Sequence, residues 1–282
     1  MTTTIATTTR PLAAATSRPG SPSLGRIFRA VTRAEWTKMR SVRSTMWTLI
    51  ATVGLAVGFG TLVAVSQLNS WDTLTPVERL RFDPTSFSLS GLFLAQMAIG
   101  VLGVLMITSE YATGQIRATL SATPRRPVVL AAKTATFVVV VLTVGLIASF
   151  GAFCIGQAIF SGKHIGVSLS DPGILRAVIG GGLYLAAVGA LGLGLGTILR
   201  RTAGAIAALV ALLLVIPLLT TFLPAAWIAN LTRYLPAQAG TSVFKVAPDP
   251  TSLSPWTGFA ILVGYAAVAL VVGGVLLTQR DA

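Results

Sequence analysis

The chain alternates between long hydrophobic runs and shorter polar stretches that hold the charged residues. Six runs contain no Asp, Glu, Lys or Arg, and they are 21 to 27 residues long. A helix needs about 20 apolar residues to cross the hydrocarbon core of a bilayer, and its backbone polar groups are bonded internally. The pattern therefore predicts an all-α integral membrane fold with six transmembrane helices, at residues 46–66, 87–108, 134–160, 177–199, 203–223 and 257–279.

The polar stretches divide the rest of the chain. Residues 1–23 are rich in Thr, Ala, Pro and Ser and are expected to form a disordered cytoplasmic tail. Residues 24–45 are predicted to form an amphipathic interfacial helix, and 46–282 to form the transmembrane domain. The longest loops of this domain are 109–133 and 224–256. The second contains Trp227, Tyr234 and Trp256, aromatic residues that favour the membrane interface, and it is expected to dip partly into the bilayer.

Composition and charge support a membrane location. Only 10% of the residues are charged, against about 25% in a soluble domain, which is too few to cover a water-facing surface. The net charge is +13 and is distributed unevenly, with 15 Lys and Arg in alternate segments including both chain ends and 6 in the others. Because basic residues near span ends resist translocation, the distribution predicts a plasma-membrane protein with both termini in the cytoplasm.

The segment before the first span has two faces. At helical spacing its apolar residues, from Leu24 to Val42, fall on one side, and four arginines fall on the other: Arg26, Arg29, Arg33 and Arg40. Glu35 and Lys38 interrupt the apolar side and are expected to pair with each other. The arginines suit anionic lipid, although a solvated basic face without a partner would have the same pattern. A nucleic-acid partner is not expected, since no aromatic platform lies among the arginines.

Chemistry-bearing residues are scarce in this chain. None of the six runs contains the acid, His or Lys that a gradient-driven transporter usually keeps at depth. A phosphate-binding GxxxxGK[ST] loop is absent: around Gly162, Lys163 and His164 both the spacing and the residue after Lys are wrong. No metal-binding, nucleophilic or paired-carboxylate pattern is found either. We therefore do not expect this chain to be an enzyme or to hold a cofactor.

Small residues four apart in the spans predict close helix packing. We expect this packing to be within one chain rather than between subunits, although both arrangements use the same pattern. Gln96 and Gln157 are the most polar side chains within spans other than hydroxyl residues, and they would either line a substrate path or bond between helices. The packing residues are Gly54 and Gly58 in the first span, and Gly182, Ala186, Ala190 and Gly194 in the fourth.

The loop at 109–133 holds the strongest local signal. Gly114 and Pro124 bracket a segment long enough for a short helix under the bilayer. Such a helix could transmit motion from a soluble partner, or it could be a solvated connector whose arginines only determine topology. Glu110 is expected to pair with Arg117 or with the arginines after Pro124. The candidate coupling residues are Glu110, Tyr111, Gly114, Arg117, Pro124, Arg125 and Arg126.

Four stretches of the chain are distinctive: EWTKMRSVRSTMW (35–47), EYATGQIRATLSATPRR (110–126), YLPAQAG (234–240) and RDA (280–282). On these stretches the sequence, from about Glu35 onward, resembles the membrane subunits of ABC type 2 exporters. It implies a six-helix permease that forms the substrate path as a dimer, with a second copy of itself or a homologous permease. It also implies a coupling helix in the loop at 109–133 and a separate ABC ATPase subunit, which would bind the ATP and magnesium.

Two other function classes remain open from the sequence. A gradient-driven carrier or channel would need no ATPase, and transport by it would survive the depletion of ATP. A membrane anchor or sensor would transport nothing and would not stimulate hydrolysis by a partner. The absence of charge in the apolar runs favours an apolar or amphiphilic cargo for an exporter, without identifying it.

Overall fold

A computed structural model describes residues 23–122, 125–220, 222, 232–246 and 252–279. Within these residues the fold is all-helical without strands, and six helices are long and apolar enough to cross a membrane. This confirms the six-span prediction and gives the organisation of a multi-pass membrane protein. Residues 1–22 of the tail predicted at 1–23, together with Pro124, Trp227 and the closing residues 280–282, lie outside the described residues.

The helices are as follows in chain order: α1 Leu24–Ser41, α2 Arg43–Ser70, α3 Pro76–Leu80, α4 Pro84–Ser88, α5 Leu92–Thr113, α6 Gln115–Ala122, α7 Arg126–Ser161, α8 Ile174–Leu199, α9 Thr202–Val210, α10 Ile216–Thr220, α11 Pro236–Thr241 and α12 Pro255–Gln279. A π-helical turn, Ala211–Val215, joins α9 to α10. It ends two residues before Pro217, whose missing N–H and bulky ring interrupt the regular helical bonding. We call the end of the bundle that holds Arg43, Thr113 and Arg126 the basic end.

Helix α8 lies at the centre of the bundle, packed against α5, α7 and α12. Its glycines allow this, since a Cβ on Gly192 would lie 2.2 Å from the Gly100 carbonyl oxygen of α5. On other faces of α8, Gly182 meets Leu146 of α7 and Gly194 meets Ala269 of α12. Lipid gives helices no hydrophobic reason to associate, so close backbone packing of this kind stabilises the bundle.

Helices α1 and α2 are separate elements. Val42 between them has an extended backbone, so α1 ends at Ser41, where 24–45 was predicted as one helix. Helix α1 lies against α7, with Glu35 and Met39 buried at the contact. The four arginines assigned to its polar face, Arg26, Arg29, Arg33 and Arg40, are exposed.

At the end opposite the basic end, the chain is held by local hydrogen bonds. Thr75 and Glu78 form a reciprocal capping box, with Pro76 in the first turn of α3. The pKa of the Glu78 carboxyl is lowered because it accepts hydrogen bonds from the Thr75 backbone N–H and hydroxyl.

Gln157 of α7 donates to the Ser88 hydroxyl at 3.2 Å and accepts from the Val167 N–H at 2.8 Å. Gln157 thus bonds between elements, one of the two roles predicted for it.

Candidate functional site

Four charged side chains meet at the basic end, where α1, α5 and α7 come together. The Lys133 ammonium of α7 lies 2.6 Å from Glu35 Oε2 of α1 and 2.8 Å from Glu110 Oε1 of α5. Lys38 of α1 also donates to Glu110 Oε1. We call Glu35, Lys38, Glu110 and Lys133 the ion cluster.

The ion cluster is largely removed from solvent. Lys133 is 0% exposed, Glu110 2% and Glu35 5%, and Lys38 forms its partly exposed edge. Two carboxylates face two ammonium groups, so the cluster is electrically balanced. Because an unpaired buried ion is very unfavourable, each member requires the others. Among the described residues, Glu110 Oε2 has no hydrogen-bond partner, so one carboxylate lone-pair site stays unused.

The helices extend further than the apolar runs, and this places the charges within them. Helix α5 continues past residue 108 to Thr113, and α7 already begins at Arg126. The apolar runs themselves contain no acid or lysine, but the helices are longer than the runs, and Glu110 and Lys133 belong to two of the six long helices.

The predicted pairings are corrected in the same way. Glu110 bonds to Lys38 and Lys133, where Arg117 or the arginines after Pro124 were expected. Glu35 bonds to Lys133 instead of Lys38. Residues within one turn can pair along a helix, but here the partner helices offer a more buried position. The side-chain bonds that the described residues of the ion cluster make with one another therefore run between helices.

The segment between α5 and α7 is shorter than predicted and carries α6. Gly114 ends α5 in the left-handed conformation, with φ at 72°, a position that favours glycine because a Cβ would be strained. Ile116 is buried, whereas Arg117 and Arg125 are exposed and Arg126 is half-buried. Helix α6 thus carries one exposed basic side chain, Arg117, and Glu110 and Lys133 lie in the two helices that flank it.

Two arginines bind the end of α12 beside this segment. Arg126 donates to the Leu277 carbonyl at 2.8 Å, and Arg200 donates to the Leu276 carbonyl at 3.0 Å. These carbonyls belong to the last turn of α12, which lacks helical partners and attracts cations. The Arg200 guanidinium also lies 5.3 Å from the centroid of the Tyr111 ring. The candidate residues Tyr111 and Arg126 are therefore part of a contact among three chain segments.

Gln96 bonds within the bundle. It accepts a hydrogen bond from the hydroxyl of Tyr184, and both side chains are buried. The Tyr184 ring contacts Phe244, with 5.3 Å between ring centroids. This contact joins α8 to the segment after α11.

The described part of the loop at 224–256 packs into the bundle. A Cβ on Gly240 would lie 2.7 Å from the Tyr184 ring, and Ala239 and Val243 are fully buried. Tyr184 is ten residues into α8, or about 15 Å along its axis. Arg176 secures the segment by donating to the Val243 carbonyl at 2.8 Å and the Lys245 carbonyl at 3.0 Å. The segment containing α11 thus descends beside α8.

The predicted packing residues differ in their surroundings. Gly182 and Gly194 contact neighbouring helices, and Ala186 and Ala190 are buried. Around Gly54 and Gly58, in contrast, no described atom lies within 4 Å of the Cβ position. The helix α2 therefore presents these two glycines outward, away from the rest of the described chain.

Sequence reasoning missed Lys133 as a site residue. The available signal was its position one residue before the third apolar run, with Glu110 two residues after the second. Opposite charges that flank consecutive spans at the same end are close enough to meet.

Among the described residues, no group of three or more His, Cys, Asp or Glu is placed to hold a metal ion. No protein-family model and no curated protein matches this chain.

Proposed function

We propose that this protein is the permease subunit of an ABC exporter, in which ATP hydrolysis by a separate ATPase subunit drives transport. The observation that best supports the proposal is the ion cluster, which connects both helices flanking α6 to α1. A force applied to α6 would reach α5 and α7 together. The resemblance of residues 110–126 to the coupling region of such permeases supports the same assignment.

In this proposal the ATPase binds beneath the basic end. Arg117 and Arg125 are exposed and suit acidic side chains on the partner, while Arg126 holds α12 in place. Closure of the ATPase around ATP and magnesium would displace α6, and the ion cluster would pass this movement to the membrane helices. A conformational change of this type switches a substrate path between its two openings.

The proposed orientation places the basic end and both termini in the cytoplasm of a cell membrane. The 15 to 6 distribution of Lys and Arg supports this orientation. The exposed arginines of α1 would then lie against the anionic inner leaflet. The substrate path would form between two permease copies, or between this chain and a homologous permease.

A gradient-driven carrier is the other candidate, because the ion cluster supplies buried ionisable groups that the sequence reasoning did not expect. Its position is unfavourable for that role. Glu110 lies three residues from the end of α5, whereas carriers bind their coupling ion near the bilayer midplane. We therefore favour a mechanical role for the cluster.

Site-specific photocrosslinking in the native membrane tests the proposal. A photoreactive residue at Ala118, which is exposed on α6, is compared with one at Val77, which is exposed on α3. We expect Ala118 alone to capture a protein that contains GxxxxGK[ST] and hydrolyses ATP. We also expect R117E/R125E to abolish this capture and R79E/R81E, at the opposite end, to preserve it. Equal capture from both positions, or the absence of such an ATPase from the Ala118 adduct, would contradict the proposal.

A further inference from the structure

A shallow groove runs along the outer face of α7, between α1 and α12. It consists of three adjoining recesses with volumes of about 690, 550 and 490 Å³. Pro127 and Ala131 line the first and second recesses, and Ala135 lines the first and third. Since the recesses share one wall on α7, we treat them as a single feature, the α7 groove.

The length and lining of the α7 groove suit an acyl chain. From Pro127 to Val138 the groove follows α7 for about 16 Å, at 1.5 Å per residue. This is roughly half of the 30 Å hydrocarbon core, the depth of one leaflet. The recess between α7 and α12 is lined by apolar residues and by Thr134 and Thr278, with no charged residue among the described ones.

The side of the α7 groove that α1 forms is basic. Arg29 lines the recess beside Pro127 and Ala131, and Arg33, one helical turn further along α1, lines the recess beside Ala135. Arg125, exposed, directly precedes α7. The acid nearest to them on α1, Glu35, is buried and bound to Lys133, so it does not neutralise these two arginines.

We infer that the α7 groove binds one anionic phospholipid from the leaflet at the basic end. An acyl chain lies along Ala131 and Ala135, and the headgroup phosphate receives hydrogen bonds from Arg29 and Arg33. Guanidinium groups match phosphate oxygens in charge and in paired geometry. The inference requires only that the chain is embedded in a membrane, so it does not depend on the proposed ABC function.

Native mass spectrometry tests this inference on the full chain, equilibrated in detergent with equal amounts of phosphatidylglycerol and phosphatidylcholine. We expect wild type to retain one phosphatidylglycerol in preference to phosphatidylcholine. R29Q/R33Q is expected to lose about thirtyfold of that preference, as two basic contacts to an anionic headgroup are removed. The matched control R40Q/R43Q removes the same charge at the same end, outside the groove lining, and is expected to keep the preference.

A second pair of variants tests the acyl-chain position. Ala131 and Ala267 are both exposed alanines on long helices, but only Ala131 lines the α7 groove. We expect A131F to reduce retention of both lipids and A267F to leave it unchanged. Equal losses from both arginine pairs would show a general surface charge effect, and unchanged retention in A131F would exclude the groove. Loss of a dimeric species in A131F without loss of lipid would assign the groove to a second copy of the chain; each of these three outcomes overturns the inference.

Discussion

At the scale of single residues, Lys133 is the most consequential charge in the molecule. Its ammonium is fully buried and lies between two carboxylates from different helices. A buried pair need not stabilise a protein more than apolar packing would, but the removal of one partner leaves uncompensated charge. The ion cluster therefore makes the relative positions of α1, α5 and α7 depend on one side chain.

Replacement of Lys133 by Met should destabilise the protein strongly. With its buried cation removed, Glu35 and Glu110 would face each other as like charges, and we expect a loss of about 3–5 kcal/mol. Thermal unfolding in detergent, followed by loss of the monodisperse chromatographic peak, measures the effect. K163M is the control, since Lys163 pairs with an exposed Asp72 and its loss should change little.

The same measurement separates charge from packing. The triple variant K133M/E35Q/E110Q replaces the three buried ions with neutral groups of similar size and leaves only Lys38, whose side chain is partly exposed, charged. We expect it to recover much of the stability that K133M loses, because no uncompensated charge remains buried. If the triple variant is as unstable as K133M, the Lys133 side chain acts through packing and the electrostatic account of the ion cluster is wrong.

At the scale of elements, α8 is the central helix because glycine lets its neighbours approach it closely. Gly192 lies against the Gly100 carbonyl of α5, and Gly103 of α5 lies against the Gly189 carbonyl of α8. At these positions the two backbones are in direct contact, so there is no room for a side chain between them. In α2, Gly54 has open space instead.

Alanine substitutions should distinguish the two kinds of glycine. G192A places a methyl group against the α5 backbone and should cost about 1–3 kcal/mol of stability. G54A has nothing to displace and should leave the stability of the isolated chain unchanged or slightly raised, as alanine is the better helix former. Thermal unfolding of both variants checks this expectation. A large loss of stability for G54A would mean that a second chain packs against α2.

The junction of α5 and α6 depends on the backbone conformation of Gly114. The position is left-handed, but no described atom lies within 4 Å of a Cβ there, so conformation alone limits substitution. We expect G114V to lose about 1–2 kcal/mol and to disturb α6, and G114N, which tolerates this conformation, to lose less. Hydrogen exchange of residues 115–122 would report the change. Equal exchange in the two variants would show that the left-handed turn is unnecessary.

At the scale of the whole molecule, two sets of contacts bring distant segments together at the basic end. The ion cluster joins α1, α5 and α7, and Arg126 of α7 and Arg200 at the end of α8 bind the last turn of α12. Along the chain, helix α6 lies between Glu110 of the first set and Arg126 of the second. A displacement of α6 would therefore act on several long helices at once, which is the property that a coupling element requires.

The alternation of the six helices makes a topological prediction. With Cys154 replaced by Ser, a single cysteine at Arg125 or at Leu80 can be labelled by a membrane-impermeant thiol reagent. Both positions are exposed, at opposite ends of the bundle. We expect the reagent to reach Leu80→Cys from outside intact cells, and Arg125→Cys only after the membrane is opened. Labelling of both positions from the same side would contradict the arrangement of spans.

Local pattern was sufficient for the spans and for the turn chemistry. Apolar runs of spanning length predicted all six long helices, and the spacing of Thr75, Pro76 and Glu78 is the local capping-box pattern with which α3 begins. These features depend on residues close together in the chain. The partners of Glu35 and Glu110 were predicted wrongly because their partner lies far away in the chain. Rules for pairing along one helix consider only nearby residues, whereas Lys133 is 98 residues from Glu35 and 23 from Glu110.

The sequence by itself determined that the chain is a helical membrane protein, because the length of each apolar run decides whether its backbone can cross a bilayer. Only the tertiary structure decided which charges are buried and with which partners. The reason is physical: a charge just beyond an apolar run is solvated if its helix end is free, and is buried if neighbouring helices enclose it. For Lys133 the surrounding helices α1 and α5 made that difference.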